Sequence, residues 1–149
     1  MTVSYDVFTA AFLNKMTEYR FSGMRMSARQ EIVDGFMKRA CSRFGGICKY
    51  DITGGDDETR TFTLDGITNA ELDEIADIVS DGMVLQWMKP YVYAGSNFKQ
   101  NLVTLDHSYH SQAELVNRIT SAYSKCERDF VNRLREYSYR HGDLTDLHI

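Results

Sequence analysis

The order of apolar and polar positions along the chain predicts four helices. Three begin at a capping box, in which a Ser or Thr hydroxyl accepts from a first-turn amide and a Glu or Gln three residues later reaches back. These are Ser27-Ala-Arg-Gln30, Thr68-Asn-Ala-Glu71 and Ser111-Gln-Ala-Glu114. A first, weaker helix covers Tyr5 to about Tyr19, with Phe8, Phe12 or Ala11, and Met16 on one side. The second runs from Ala28 to Phe44 with Ile32, Val33, Phe36, Ala40, Cys41 and Phe44 inward, and Gly45-Gly46 supplies the left-handed geometry that ends it. The third runs from Asn69 to Met88. Leu72, Ile75, Ala76, Val79, Met83 and Trp87 form its stripe, and Ile78, Val84, Leu85 and Met88 widen that stripe into the most buried element. Lys89-Pro90 disfavours continuation, although a kinked extra turn through Tyr93 is compatible with the pattern.

The fourth helix, Gln112 to Arg140, repeats apolar residues at steps of three and four through Val116, Ile119, Tyr123, Cys126, Phe130, Leu134 and Tyr137. At roughly 40 Å it is longer than a compact domain of this size requires. Gly142 stops it and leaves 143–149 as a tail carrying Leu144, Leu147 and Ile149. Two connections are not helical in this reading. Residues 47–67 form a small hairpin or an ordered loop, with Tyr50-Asp-Ile52 and Thr61-Phe-Thr-Leu64 flanking Gly54-Gly55-Asp56-Asp57-Glu58. Residues 94–110 are a second loop whose apolar content needs something to pack against. The expectation is an all-α fold of about four helices, a single helical domain over 1–142 and a docking tail over 143–149.

A chain of 149 residues that is 43% hydrophobic is long enough to bury a core without disulfide or metal staples. Its three cysteines, Cys41, Cys48 and Cys126, have no paired spacing, which favours a reducing compartment. No apolar run approaches a membrane span, and the first residues do not read as a secretory leader. Charge adds a sharper feature. The net charge of −4 hides a segment, 51–82, with ten acids against Arg60, and this −9 leaves +5 on the rest, most of it in the first fifty residues. Such a division reads either as a solvated acidic face or as complementarity between neighbouring copies in a ring or filament.

Candidate chemistry is thin. His107 and His110 beside Asp106 lack the third and fourth ligands of a zinc site. The acids after Gly54-Gly55 would repel a phosphate, and a calcium loop from Asp51 has Asp56 where Gly belongs and Phe62 where Glu belongs. No nucleophile motif or catalytic carboxylate pair stands out, so neither an enzyme nor a cofactor is expected. Trp87, Tyr91, Tyr93 and Phe98 with Lys89 and Lys99 read as core and helix end sooner than as a base-stacking platform. Tyr137-Ser-Tyr139-Arg140 suits an interface anchor and a helix core equally.

The run Asp73-Glu-Ile-Ala-Asp-Ile-Val-Ser-Asp-Gly-Met-Val-Leu-Gln-Trp-Met-Lys-Pro-Tyr-Val-Tyr93 resembles the central helix of the head–tail connectors of tailed bacteriophages, also called adaptors or head completion proteins. Ser108-Tyr-His-Ser-Gln-Ala113, leading into a helix that closes with Arg135-Glu-Tyr-Ser-Tyr-Arg140, is similar to the same family. The likeness covers roughly residues 27–149. It implies a few helices with a C-terminal extension, in a ring, typically of twelve copies, beneath the portal in the virion neck, assembled in the host cytoplasm. It implies portal docking through Tyr137, Tyr139, Arg140, Leu144, Leu147 and Ile149, and ring contacts through Tyr91, Tyr93, Phe98, Tyr109, Arg128 and Arg135. The partners implied are further copies, the portal protein and a downstream neck or tail protein, with no membrane. The excursion 47–67 is longer than a minimal adaptor needs; Asp56, Asp57 and Glu58 are expected to face the next ring or the lumen, where genomic DNA passes without sequence-specific binding. The alternatives are another neck ring, such as a β-rich stopper or tail terminator, and a small helical regulatory or nucleic-acid-binding protein.

Overall fold

The structure, a computed structural model, describes the backbone of residues 1–16, 26–102 and 110–141, and the side chains of 1–16, 29–90, 92–93 and 117–141. Its elements are β1 (Thr2–Ser4), α1 (Asp6–Lys15), α2 (Met26–Gly45), β2 (Thr61–Thr63), α3 (Asn69–Leu102) and α4 (His110–His141). The architecture is all-α, four helices with a two-stranded sheet, and the C-terminal helix is long as its periodicity predicts. α3 is the central element: it packs most extensively on α4, then on α2, then on α1.

The one box whose Ser or Thr is among the described side chains caps its helix only by half. The Thr68 hydroxyl accepts from the Glu71 amide at 3.2 Å, but the Glu71 carboxylate takes the Tyr50 hydroxyl. That bond ties the start of the 47–67 excursion to the first turns of α3. α2 and α4 begin at Met26 and His110, and the side chains of Ser27 and Ser111 lie outside the described residues.

α3 does not stop before Lys89-Pro90. It continues through Pro90 to Leu102, so residues 94–102, read as loop from sequence, are helical; 103–109 lie outside the described residues. A proline within a helix removes one backbone bond and costs about 3 kcal/mol. Pro90 is exposed, which keeps its ring clear of the core, and the extensive packing of α3 against α4 offsets the loss. At 1.5 Å per residue the 34-residue α3 and the 32-residue α4 are each roughly 50 Å long, more than one small core can cover.

α2 buries Val33, Met37, Ala40, Cys41 and Phe44, spaced as one helical face. Ile32, expected inward, stands beside that face at 39% exposure, and Met37 fills the position instead. The helix closes without a left-handed glycine: Ile47 and Cys48 amides both donate to the Phe44 carbonyl, at 3.1 and 3.0 Å. Gly45 serves close approach, since a Cβ there would sit 2.6 Å from Thr53 Cγ2. Gly82 on α3 is crowded between two helices, where an added Cβ would lie 2.9 Å from Ala40 Cβ and 3.0 Å from the Phe130 ring. α2, α3 and α4 meet at this point.

The excursion contains no hairpin of its own flanks. β2 pairs antiparallel with β1, with Val3 opposite Phe62, and the Tyr5 amide donates to the Arg60 carbonyl at 2.8 Å to extend the ladder. Residues 56–61 fold into a tight turn bridged between Asp56 and Thr61. Val3 and Phe62 are the inward positions of their strands, and with Ile52 and Leu64 they roof Phe8 of α1. The Phe8 and Phe62 rings meet edge to face at 5.4 Å.

Candidate functional site

The predicted docking residues divide sharply once placed. Tyr137, expected at the portal interface, is a core residue at 2% exposure. Its ring packs edge to face on Phe44 at 4.8 Å, its hydroxyl accepts from the Lys49 amide at 3.2 Å, and His141 stacks against it at 4.5 Å. Burial pushes its phenol well above the usual range. Arg140 is largely exposed but is held by Glu74, which also meets His141 at 3.2 Å. Tyr139, between them in sequence, points away from the core at 70% exposure. On a helix, neighbours two apart cannot share a face, so the core keeps one tyrosine and solvent the other. Leu144, Leu147, Ile149 and Tyr109 lie outside the described residues, as do the side chains of Tyr91 and Phe98. Of the expected ring contacts, Tyr93 is 62% exposed, and Arg128 and Arg135 are exposed and make no ion pair among the described residues.

The acidic turn is partly structural. Asp57 accepts the Tyr5 hydroxyl at 2.9 Å and Lys38 Nζ at 2.7 Å, and these bonds, Lys38's first, hold its carboxyl below the usual range. Asp56 spends one oxygen on the Glu58 and Thr59 amides, fixing the turn. Glu58 is exposed, with no ion pair among the described residues.

Much of the charge division seen in sequence is used inside the chain itself. Lys15 of α1 bonds Asp77 at 2.6 Å and Asp81 at 2.7 Å, and Arg133 of α4 bonds both carboxylates from the other side. Burial works to raise the Asp77 carboxyl, but the hydrogen bonds from Lys15 and Arg133 outweigh it and the net shift is downward. Two cations and two carboxylates thereby clamp α1, α3 and α4 together. Lys38 with Asp57 and Glu74 with Arg140 spend further opposite charges in the same way. Segment totals therefore overstate the charge one copy can offer another.

One cluster has no counterpart in the reading of the sequence. Arg60 sits at φ 53°, the only described non-glycine residue in the left-handed region. Its Nε and Nη2 grip Asp34 of α2 at 2.7 and 2.8 Å, and Nη1 reaches Asp6 of α1 at 2.9 Å. These bonds, Asp34's first, raise its pKa further, so the guanidinium stays charged. The cluster closes one end of an open cavity of about 390 Å³ between α1 and α2, whose apolar wall includes Leu13 and Val33. With both carboxylates bonded to one arginine, the cavity presents no free acid and base pair; the cluster locks the excursion onto two helices. A lone Arg amid ten acids was the available signal, but its partners lie 26 and 54 positions away.

Thiol and metal chemistry find little support in the geometry. Burial pushes the Cys41 thiol up to about 12 and also raises Cys48, so both remain protonated and weakly nucleophilic. Among the described residues no three His, Cys, Asp or Glu side chains gather as a metal site. No described helix is long and apolar enough to cross a membrane. What the surface does offer is the outer side of α4, with exposed Arg128, Arg135 and Tyr139, and Tyr93 at the exposed part of α3. A comparison with protein-family models, curated proteins and solved structures finds no match to this chain.

Proposed function

We propose that this chain is a virion structural protein of a tailed bacteriophage, an adaptor that forms a ring beneath the portal and links it to the tail. The observation that carries the reading is the α3–α4 pair. Between residues 117 and 129 of α4 no described side chain is buried, although the helix runs on unbroken. Only Tyr123 and Cys126 of that stretch pack, half-buried, against the core, so most of its described surface is open to a partner. The succession of blocks from Asp73 to Tyr93 and from Ser108 to Arg140 adds the family likeness. Tyr93 and Tyr139 are the exposed aromatic anchors, and the segment 143–149 supplies the portal-docking tail. The small sheet, two strands of three residues, speaks against a β-rich stopper or terminator.

Sedimentation of an infected-cell lysate tests the reading directly. The chain is expected to travel with DNA-filled particles of virion size, and a chain that stays at the top of the gradient throughout infection overturns it. Deleting residues 143–149 should leave the helical content unchanged and abolish attachment to the portal; attachment at the level of the intact chain removes the tail from the docking role.

A further inference from the structure

Once the internal ion pairs are subtracted, four unpaired cations remain together on one face of α4. Arg118, Lys125, Arg128 and Arg135 are all exposed, and none has an ion-pair partner among the described residues. Their spacing of seven, three and seven keeps them on one side of α4, turned away from buried Phe130 and Tyr137. Ser121 and Asn132 fill the gaps in this stripe, and Tyr139 ends it. It is about 26 Å long from Arg118 to Arg135. Asp129 and Glu136 run along one edge and leave the stripe net positive.

The unspent acids lie elsewhere. Asp51 and Asp56 bond only to hydroxyl and amide groups of their own turns, and Glu58 and Asp73 are exposed without an ion pair among the described residues. The Tyr50–Glu71 bond brings the start of the acidic excursion to the α3 turns that carry Asp73. Tyr5 and Lys38 hold the acidic turn against the α1 and α2 side, whereas the basic stripe is on the outer face of α4. The four cations of the stripe and these four carboxylates thus occupy separate stretches of the chain, while Arg29, Arg39, Lys49, Lys89 and Glu31 are further described charges without an ion pair among the described residues.

We infer that the outer face of α4 is a contact surface for a second copy of this chain, whose acidic excursion, with Asp51, Asp56, Glu58 and Asp73, lies along the stripe of Arg118, Lys125, Arg128 and Arg135. Such a contact joins different patches on the two copies, so each copy keeps a free face and the assembly grows to a closed ring or a filament. A duplex DNA backbone is the other polyanion that would fit a basic stripe. The second copy is favoured because the chain itself carries the matching acids, and because a net charge of −4 repels DNA at long range. The inference rests on the ring reading proposed above only in taking the neighbour to be a copy of this chain.

Charge reversal tests it with purified protein. Arg128→Glu with Arg135→Glu makes the stripe acidic, and Glu58→Lys with Asp73→Lys makes the other face basic; none of the four side chains bonds to another among the described residues. In sedimentation velocity at about 0.15 M ionic strength the wild type should assemble, and assembly should fall away at about 1 M salt, where the Debye length is ~3 Å. Each reversed variant should associate roughly tenfold or more weakly, while an equimolar mixture of the two recovers assembly, because every contact again joins opposite signs. Circular dichroism confirms that each variant keeps its helices. A monomeric wild type, reversed variants that assemble as the wild type does, or a mixture that assembles no better than its components overturns the inference. So does salt-sensitive binding of random duplex DNA that is lost with Arg128→Glu and Arg135→Glu while the wild type does not self-associate; that result assigns the stripe to phosphates. Because no particles are involved, failure here leaves the virion sedimentation test standing, and failure there leaves this one standing.

Discussion

Arg60 carries two opposing contributions that can be separated by choice of replacement. Its left-handed backbone costs a non-glycine residue about 1–2 kcal/mol, and its bidentate bond to Asp34 returns that and more. Arg60→Ala removes the bonds and keeps the strain, so chemical denaturation should show a loss of about 2–3 kcal/mol. Arg60→Gly removes both and should lose about 1 kcal/mol less. Equal losses would mean the backbone there is not strained. Tyr137 offers a second case. Tyr137→Phe keeps the ring against Phe44 but leaves the Lys49 amide without its acceptor, and a loss of about 1 kcal/mol is expected in urea titration.

Among the elements, the three helices that share Gly82 set the geometry of the whole interior. Alanine is ordinarily the better helix former by about 1 kcal/mol, yet here its methyl would press on Ala40 and Phe130. Gly82→Ala should therefore destabilise by about 1–3 kcal/mol, read as a lower Tm, and a raised Tm would show that the crossing can relax. Helix periodicity was legible from the sequence because each long helix repeats its own pattern over several turns. The inward faces of α3 and of α4 from Phe130 to Tyr137 follow directly from it. Three features were not legible, each for a physical reason. A three-residue strand has no period to read, and the partner of β2 lies about sixty residues upstream. The passage of α3 through Pro90 depends on tertiary packing against α4, which overrides a local signal. The grip of Arg60 on Asp34 and Asp6 joins positions 26 and 54 apart, which no periodic signal reports, whereas the burial of Tyr137 was already in the apolar stripe of the fourth helix. Charge was misleading in the same way, since Lys15, Arg133 and their carboxylates are more than fifty positions apart.

For the whole molecule, the clamp of Lys15, Asp77, Asp81 and Arg133 makes stability dependent on acidity. Asp77 has a folded pKa below its unfolded value, so its contribution is fully present above about pH 4 and disappears as pH falls through the lower folded value. Acid titration followed by circular dichroism should show unfolding that begins below about pH 4, and Asp77→Asn should be less stable at pH 7 with a shallower acid limb. An unchanged limb would place the acid sensitivity at another carboxylate. At the opposite end, burial raises Tyr5 to about 12, with the bond to Asp57 adding to it. Its share of stability is present below about pH 10 and is lost between there and about 12.

The packing of Phe44 against Tyr137 has a consequence for the order of events in the cell. A chain emerging from the ribosome has all of α2 exposed long before the residue that covers its end is made. The same delay holds for Lys15, which waits for Arg133 to complete its clamp. The domain thus locks only when nearly all of α4 has been synthesised, at a time set by translation at about 5–20 residues per second. A chain broken off in α4 before Arg133 leaves the clamp open and Phe44 without the Tyr137 ring, and so a better substrate for proteolysis. The fold itself thereby separates a chain that carries α4 through Tyr137 from one broken before Arg133.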